Sequence, residues 1–155
     1  MLDAAYPNYE LDTVNIMTVQ TNTTANVLIV EDELVTANAL SDVLSDLGYR
    51  VLEIVDSSND AIAAIRRQVP DIILMDIKLR GAESGVTAVN AINKIASIPV
   101  IYLTAFSDPE IFDQVISTSP YGYLTKPLRY AEVNMAIMLA LKKHHEDKLL
   151  QEALD

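Results

Sequence analysis

A chain of 155 residues, half of them hydrophobic, suffices for one globular domain with a substantial core. A formal net charge of −11 argues against unaided nucleic-acid binding, and the absence of cysteine excludes a disulfide framework or a thiolate metal site. No run reaches the length of a membrane span and no basic-then-apolar leader opens the chain, so a cytoplasmic protein is expected.

Residues 1–26 differ from the rest. Thr21-Asn22-Thr23-Thr24-Ala25-Asn26 is a polar, small-residue linker, and Val14, Ile16 and Val19 upstream are too sparse for a core. This segment is expected to be an extension, either disordered or laid against the domain or a partner. From Val27 strands alternate with helices. Val27-Leu28-Ile29-Val30 reads as the first strand, and Leu40, Val43, Leu44 and Leu47 mark a helix stopped by Gly48. Val51 to Val55 is a second strand. Ser58 is expected to cap a helix carrying Ala61, Ile62, Ala64 and Ile65, which Pro70 prevents from continuing. Asp71 to Asp76 is the third strand, apolar without alternation and so buried on both faces.

Val86, Val89, Ile92 and Ile95 fall on one face of the next helix. Pro99 opens the fourth strand, Pro109 sits in a first helical turn, and Tyr121 to Leu124 is the fifth strand. Nothing interrupts the last helix from about Tyr130 to Leu154, about 36 Å of chain. Val133, Ala136, Ile137, Ala140 and Leu141 suit the sheet. Lys142 to Lys148 is polar, with His144 and His145 read as surface residues, and Leu149, Leu150 and Leu154 follow. The distal part is expected to be a connector or dimer element. Such alternation makes an α/β fold, a doubly wound five-stranded parallel sheet with an extended C-terminal helix.

Several of these strands end in chemistry. The first runs into Glu31-Asp32, the third ends at Asp76, the fourth at Thr104, and the fifth leads to Lys126-Pro127. Neighbouring strand ends lie about 4.8 Å apart, and the C-terminal rim of such sheets is where ligands bind. A lone Asp after a strand is ordinarily a turn residue or a helix cap. Acids, a hydroxyl and an ammonium recurring at successive buried strand ends instead suit Mg²⁺ and a phosphoryl group.

Jointly, these residues resemble the receiver domain of the two-component response regulators, over about Val27 to Ala140. Glu31-Asp32 resembles the acidic pair, Asp76 the phosphoacceptor, Thr104 the switch hydroxyl and Lys126-Pro127 the lysine-proline pair. Gly85 resembles the glycine after the phosphorylation loop, and Tyr123 stands at the aromatic switch position. The loop Ile77-Lys78-Leu79-Arg80-Gly81 departs from the common pattern in lacking a proline four residues after the acceptor. The Lys-Leu-Arg-Gly loop, with Ala105 to Asp108, is similar to that of receivers joined to sensory or kinase modules.

The resemblance implies a flavodoxin-like, chemotaxis-regulator-like fold with strand order 2-1-3-4-5. It also implies phosphoryl transfer to Asp76 from a partner histidine kinase or phosphotransfer protein. Mg²⁺ would be held by Asp32 and Asp76, by Glu31 through water and by the backbone carbonyl of Lys78. Lys126 and Thr104 would engage the phosphoryl oxygens, with small Ala105 leaving room and Tyr123 packing inward as Thr104 moves. The fourth helix, fifth strand and last helix would form the responding surface and a homodimer interface. The expected layout is 1–26 as extension, 27–141 as receiver and 142–155 as helical connector. Two rivals remain at this stage. A haloacid-dehalogenase-type phosphohydrolase would want an Asp two residues after Asp76, where Lys78 stands, and a non-phosphorylated receiver-like module would not need the full site.

Overall fold

The apolar runs fold as five parallel strands in a computed structural model that describes residues 24–79, 84–105 and 109–155. They are β1 (Asn26–Val30), β2 (Arg50–Val55), β3 (Ile72–Asp76), β4 (Val100–Thr104) and β5 (Gly122–Thr125), in the order β2-β1-β3-β4-β5. The helices between and after them are α1 (Leu34–Asp46), α2 (Ser58–Arg67), α3 (Gly85–Asn93), α4 (Pro109–Ser117) and α5 (Tyr130–Leu154). The resemblance therefore gave the strand order correctly. Most of residues 1–26, Arg80-Gly81 of the loop and Phe106 to Asp108 lie outside the described residues.

β3 is buried along its whole length because helices cover both faces of the sheet. Val27, Ile29, Ile72, Leu74, Ile101, Leu103 and Leu124 project to one side, into a core closed by α1 and α5. Leu28, Val30, Ile73, Met75, Val100 and Tyr102 project to the other, against α2, α3 and Val115 of α4. The period of two that an uninterrupted apolar run conceals thus reappears in the packing. The phenol of Tyr102 is the polar exception in this layer. Its OH lies 2.8 Å from Thr118 Oγ1, which donates onward to the carbonyl of Val115 at 2.6 Å.

Helix ends follow local chemistry. Gly48, at φ 93°, closes α1: its amide bonds to Ser45 O and that of Tyr49 to Leu44 O, a Schellman pair that needs the left-handed residue. α2 is capped by Ser57, one residue before the expected Ser58, its hydroxyl accepting from the Asp60 amide at 3.1 Å. α3 starts from Ser84 and stops at Asn93, so Ile95 leaves the apolar face and is exposed, contrary to the spacing. The fifth strand begins at Gly122 rather than Tyr121.

The far part of α5 departs further from expectation. Its polar stretch is fastened to the domain. His144 is half-buried, with Nε2 3.1 Å from Ser97 Oγ and its ring edge-on to Tyr121. Burial, aided by the positive Lys148, holds this imidazole below its usual pKa. Tyr121 donates its phenol to Asp147 Oδ2 at 2.7 Å, and burial and that carboxylate push its pKa up to about 12. Among the described residues, no helix is long and apolar enough to cross a membrane.

Gly85 fixes how α3 enters below the rim. Its amide bonds to the carbonyl of Ile77 at 2.7 Å, and a Cβ placed there would collide with the backbone carbonyl of Asp76. Backbone cannot yield as a side-chain tip does. Gly85→Ala is expected to lower stability by about 1–3 kcal/mol in urea titration, with no change in the surface exposed on unfolding.

Candidate functional site

Register brings the candidate residues to one rim. Val30 pairs with Met75, Asp76 with Leu103 and Thr104 with Thr125, so Glu31, Asp76, Thr104 and Lys126 all stand at the carboxyl ends of adjacent strands. Carboxylate oxygens of Glu31, Asp32 and Asp76 lie within 4.8 Å of one another. The first and last of these acids are buried, at 2% and 6% exposure, and Asp32 is half-buried.

The same local device orients both buried acids. Glu31 Oε1 accepts from the amide of Glu33 at 3.1 Å, and Asp76 Oδ1 accepts from the amide of Lys78 at 3.2 Å. Each strand therefore turns immediately past its acid and uses a backbone donor two residues on to aim it. The bridge from Lys78 to Ser84 then closes the loop after β3.

The remaining oxygens face Lys126. Its Nζ is 2.8 Å from Glu31 Oε2 and 3.4 Å from Asp76 Oδ2, both partners largely removed from water. Burial pulls the ammonium down, but the two carboxylates outweigh it and leave its pKa above the ordinary lysine value. Glu31 is governed by burial, which pushes its carboxyl up. Lys126 opposes that shift, Asp76 reinforces it, and the pKa reaches about 7.

Four of the expected residues, Glu31, Asp32, Asp76 and Lys126, thus converge. Thr104 stands half-buried at the end of β4, where its carbonyl accepts the Lys126 amide at 2.8 Å and ties the last two strands together at the site. Lys126-Pro127 is a cis peptide. Tyr123 points outward, 59% exposed, and meets Phe112 edge-on with ring centroids 6.0 Å apart. Of Lys78, the amide engages Asp76 while the side chain is exposed. Sequence reasoning missed the Glu31–Lys126 ion pair. The available signal was a glutamate directly after the apolar run Val27 to Val30, where a buried carboxylate calls for a cationic partner.

Glu31 also sets a pH dependence. In the folded state it keeps its proton to about pH 7, against 4.5 for the ordinary group. The stability this proton contributes is fully present below pH 4.5 and is lost as pH rises through 7. In metal-free buffer, Glu31→Gln is expected to flatten stability across that interval by on the order of 2 kcal/mol, read from denaturant midpoints at stepped pH.

Comparison with known proteins agrees with this geometry. The family model of the response regulator receiver domain matches residues 27–138. The transcriptional regulatory protein PdtaR of Mycobacterium tuberculosis is 28% identical over 125 residues, covering 81% of this chain and 60% of that protein. The phyllosphere-induced regulator PhyR of Methylorubrum extorquens is 34% identical over 116 residues, covering 74% of this chain and 43% of its own. The chain therefore spans less than two thirds of either relative, 60% of the first and 43% of the second. Among solved structures, the signal receiver domain of a modulated diguanylate cyclase from Desulfovibrio desulfuricans G20 superposes with a TM-score of 0.77 at 34% identity, covering 81% of this chain and 99% of that one. With the sheet order, the rim acids and the family match in agreement, the chain belongs to the response regulator receiver domains, the modules of phosphorylation-dependent two-component signalling.

Proposed function

We propose that Asp76 accepts a phosphoryl group from a phosphohistidine on a sensor histidine kinase or phosphotransfer protein, in the cytoplasm. The observation that carries this is the meeting of the Glu31, Asp32 and Asp76 carboxylates within 4.8 Å, with Lys126 bridging two of them. A carboxylate oxygen of Asp76 attacks phosphorus, the phosphorus–nitrogen bond breaks, and the imidazole leaves with the bonding pair. Asp76 needs no general base, since its ionised form is already the nucleophile.

Charge is the obstacle. A dianionic phosphoryl group must approach clustered acids, and one ammonium cannot neutralise them all. Three carboxylates closer than 4.8 Å, one of them half-buried and open to water, fit a hard divalent cation. Asp32 and Asp76 would hold Mg²⁺ directly, with Glu31 through water and the Lys78 carbonyl completing the set. Bound there, Mg²⁺ supplies charge neutralisation and a clamp for the transferring oxygens. Lys126 then releases the acids and turns its ammonium to the phosphoryl group, while the Thr104 hydroxyl donates to another of its oxygens. The half-buried floor limits water at the acyl phosphate, so the module catalyses only its own phosphorylation and slow dephosphorylation.

Output follows from differential binding. The phosphorylated site favours the arrangement in which Thr104 is drawn toward it, and Tyr123, now outside against Phe112, moves into the space released. The responding face is α4, β5 and α5, where Phe112, Ile116 and Tyr123 are exposed apolar groups suited to a second copy or an output partner. The receiver unit is 27–141.

A phosphohydrolase reading lacks its general acid, because Lys78 occupies the position two residues beyond Asp76 and presents only its amide to the acceptor. Incubation with Mg²⁺ and acetyl phosphate, followed by intact mass, separates the readings. A lasting single phosphoryl adduct is expected; rapid turnover would mean a hydrolase, and no reaction a silent module. Asp76→Asn should abolish the adduct, and an Asn variant that still gained the mass would remove Asp76 from the role. Asp32→Ala should match or exceed the parent in stability without metal, because one repelling charge is gone, yet show no stabilisation on Mg²⁺ titration. An unchanged Mg²⁺ response in that variant would place the metal elsewhere.

A further inference from the structure

α4 rests on two tyrosines that stand side by side. Tyr102 on β4 and Tyr123 on β5 are register partners, so their side chains share one face of the sheet. Tyr123 meets Phe112 toward the amino end of the helix, ring centroids 6.0 Å apart. Tyr102 meets Thr118, one residue past the carboxyl end, with the two hydroxyl oxygens 2.8 Å apart. These contacts differ in kind. Phe112 and Tyr123 are both exposed, and an edge-on ring contact open to water parts easily. Tyr102 and Thr118 are both buried, so parting them would strand two hydroxyls where water does not reach.

The buried contact has a fixed direction. Thr118 Oγ1 donates to the carbonyl of Val115 at 2.6 Å, and a hydroxyl has one proton, so the Tyr102 phenol is the donor to Thr118. Burial pushes the pKa of that phenol above its ordinary value, which keeps the donor proton in place. Other ties gather at the same end of the helix. The carbonyl of Thr118 accepts the side-chain amide of Asn93 from α3 at 3.3 Å, and the Tyr121 amide bonds to Val100 O of β4 at 2.9 Å. Val115 in the last turn is buried in the core, whereas Ile111 in the first is only half-buried against it.

We propose that the Tyr102–Thr118 hydroxyl pair is a fixed pivot for α4, holding its carboxyl end to β4 while its amino end swings with Tyr123. The inference rests on the phosphoryl-transfer reading above and adds how the state of that site reaches the helix. Tyr102 lies two residues before Thr104, so the pivot is carried by the strand that ends at the site. When Tyr123 leaves Phe112, the exposed contact is lost and the buried pair holds. The helix then turns about Thr118 instead of sliding or detaching. Phe112, farther from the pivot, is displaced more than Ile116, so the apolar groups offered to a partner change their relative aim.

Amide shifts of the isotope-labelled full-length protein, recorded with Mg²⁺ before and after saturation with beryllofluoride as phosphoryl mimic, test this. In the parent, the induced change is expected to be several-fold larger at residues 111–113 than at 115–118. Tyr102→Phe and, separately, Thr118→Val remove the pair with little change in volume, and each should raise the induced change at 115–118 several-fold. Thr118→Ser retains the hydroxyl and should keep the parental pattern. Loading of Asp76 from acetyl phosphate, read by intact mass, should be the same in the parent and all these variants. An unchanged pattern in a hydroxyl-free variant shown by circular dichroism to be folded overturns the pivot and leaves the phosphoryl reading standing. A parent whose 115–118 amides respond as strongly as 111–113 also overturns the pivot alone. No adduct on the parent overturns the phosphoryl reading, and the pivot with it.

Discussion

Like charges forced together at the end of a buried sheet are the constraint around which this molecule is organised. Glu31 and Asp76 lie at 2% and 6% exposure, too dry for water to screen them from each other, and Asp32 adds a third acid within 4.8 Å. Burial of Glu31, reinforced by the neighbouring Asp76, drives its carboxyl toward the neutral form. The protein answers with Lys126 for the anionic oxygens, backbone amides two residues beyond Glu31 and Asp76, and a raised Glu31 pKa that lets a proton carry part of the load. Each answer needs the strand ends in one fixed register, which is why the sheet beneath them has no polar side chain on its central strand until Asp76.

This arrangement explains how one site can be both stable at rest and responsive. Lys126 is committed to Glu31 and Asp76, so any group entering between them would displace an existing interaction. A ligand that meets a preformed but differently satisfied site shifts it by the difference between two sets of contacts. Because Thr104 and Lys126 are joined through the backbone at 2.8 Å, movement at either is felt on both β4 and β5.

Much of the fold was legible because its strands are extreme. Five short apolar runs ending in polar residues admit few readings, and the chemistry at their ends marked Glu31, Asp32, Asp76, Thr104 and Lys126 without coordinates. What stayed hidden was pairing between remote side chains. Tyr121 and Asp147, or Ser97 and His144, carry no periodic signal, since either partner alone is an ordinary surface residue. His144 was therefore read as a surface residue, whereas it and Asp147 each reach a partner on the domain. Ile95 fails for the opposite reason: its spacing is right, but α3 ends at Asn93 and the helical phase no longer applies. Strand order needed the resemblance, because spacing along a chain does not fix adjacency across a sheet.

The helices are not held equally. α1, α2, α3 and α5 each bury at least three residues, whereas among the described side chains of α4 only Val115 is buried, with Thr118 just past its end tied to Tyr102. Ile111, half-buried against the same core near the amino end, adds a lighter second contact. Tyr102 lies two residues before Thr104 on the same face of β4, so this anchor belongs to the strand that ends at the site. Local opening of such an element needs far less free energy than global unfolding, and its amides would exchange with solvent long before those of the sheet. The most lightly buried of the described helices thus stands beside the clustered charges of the rim.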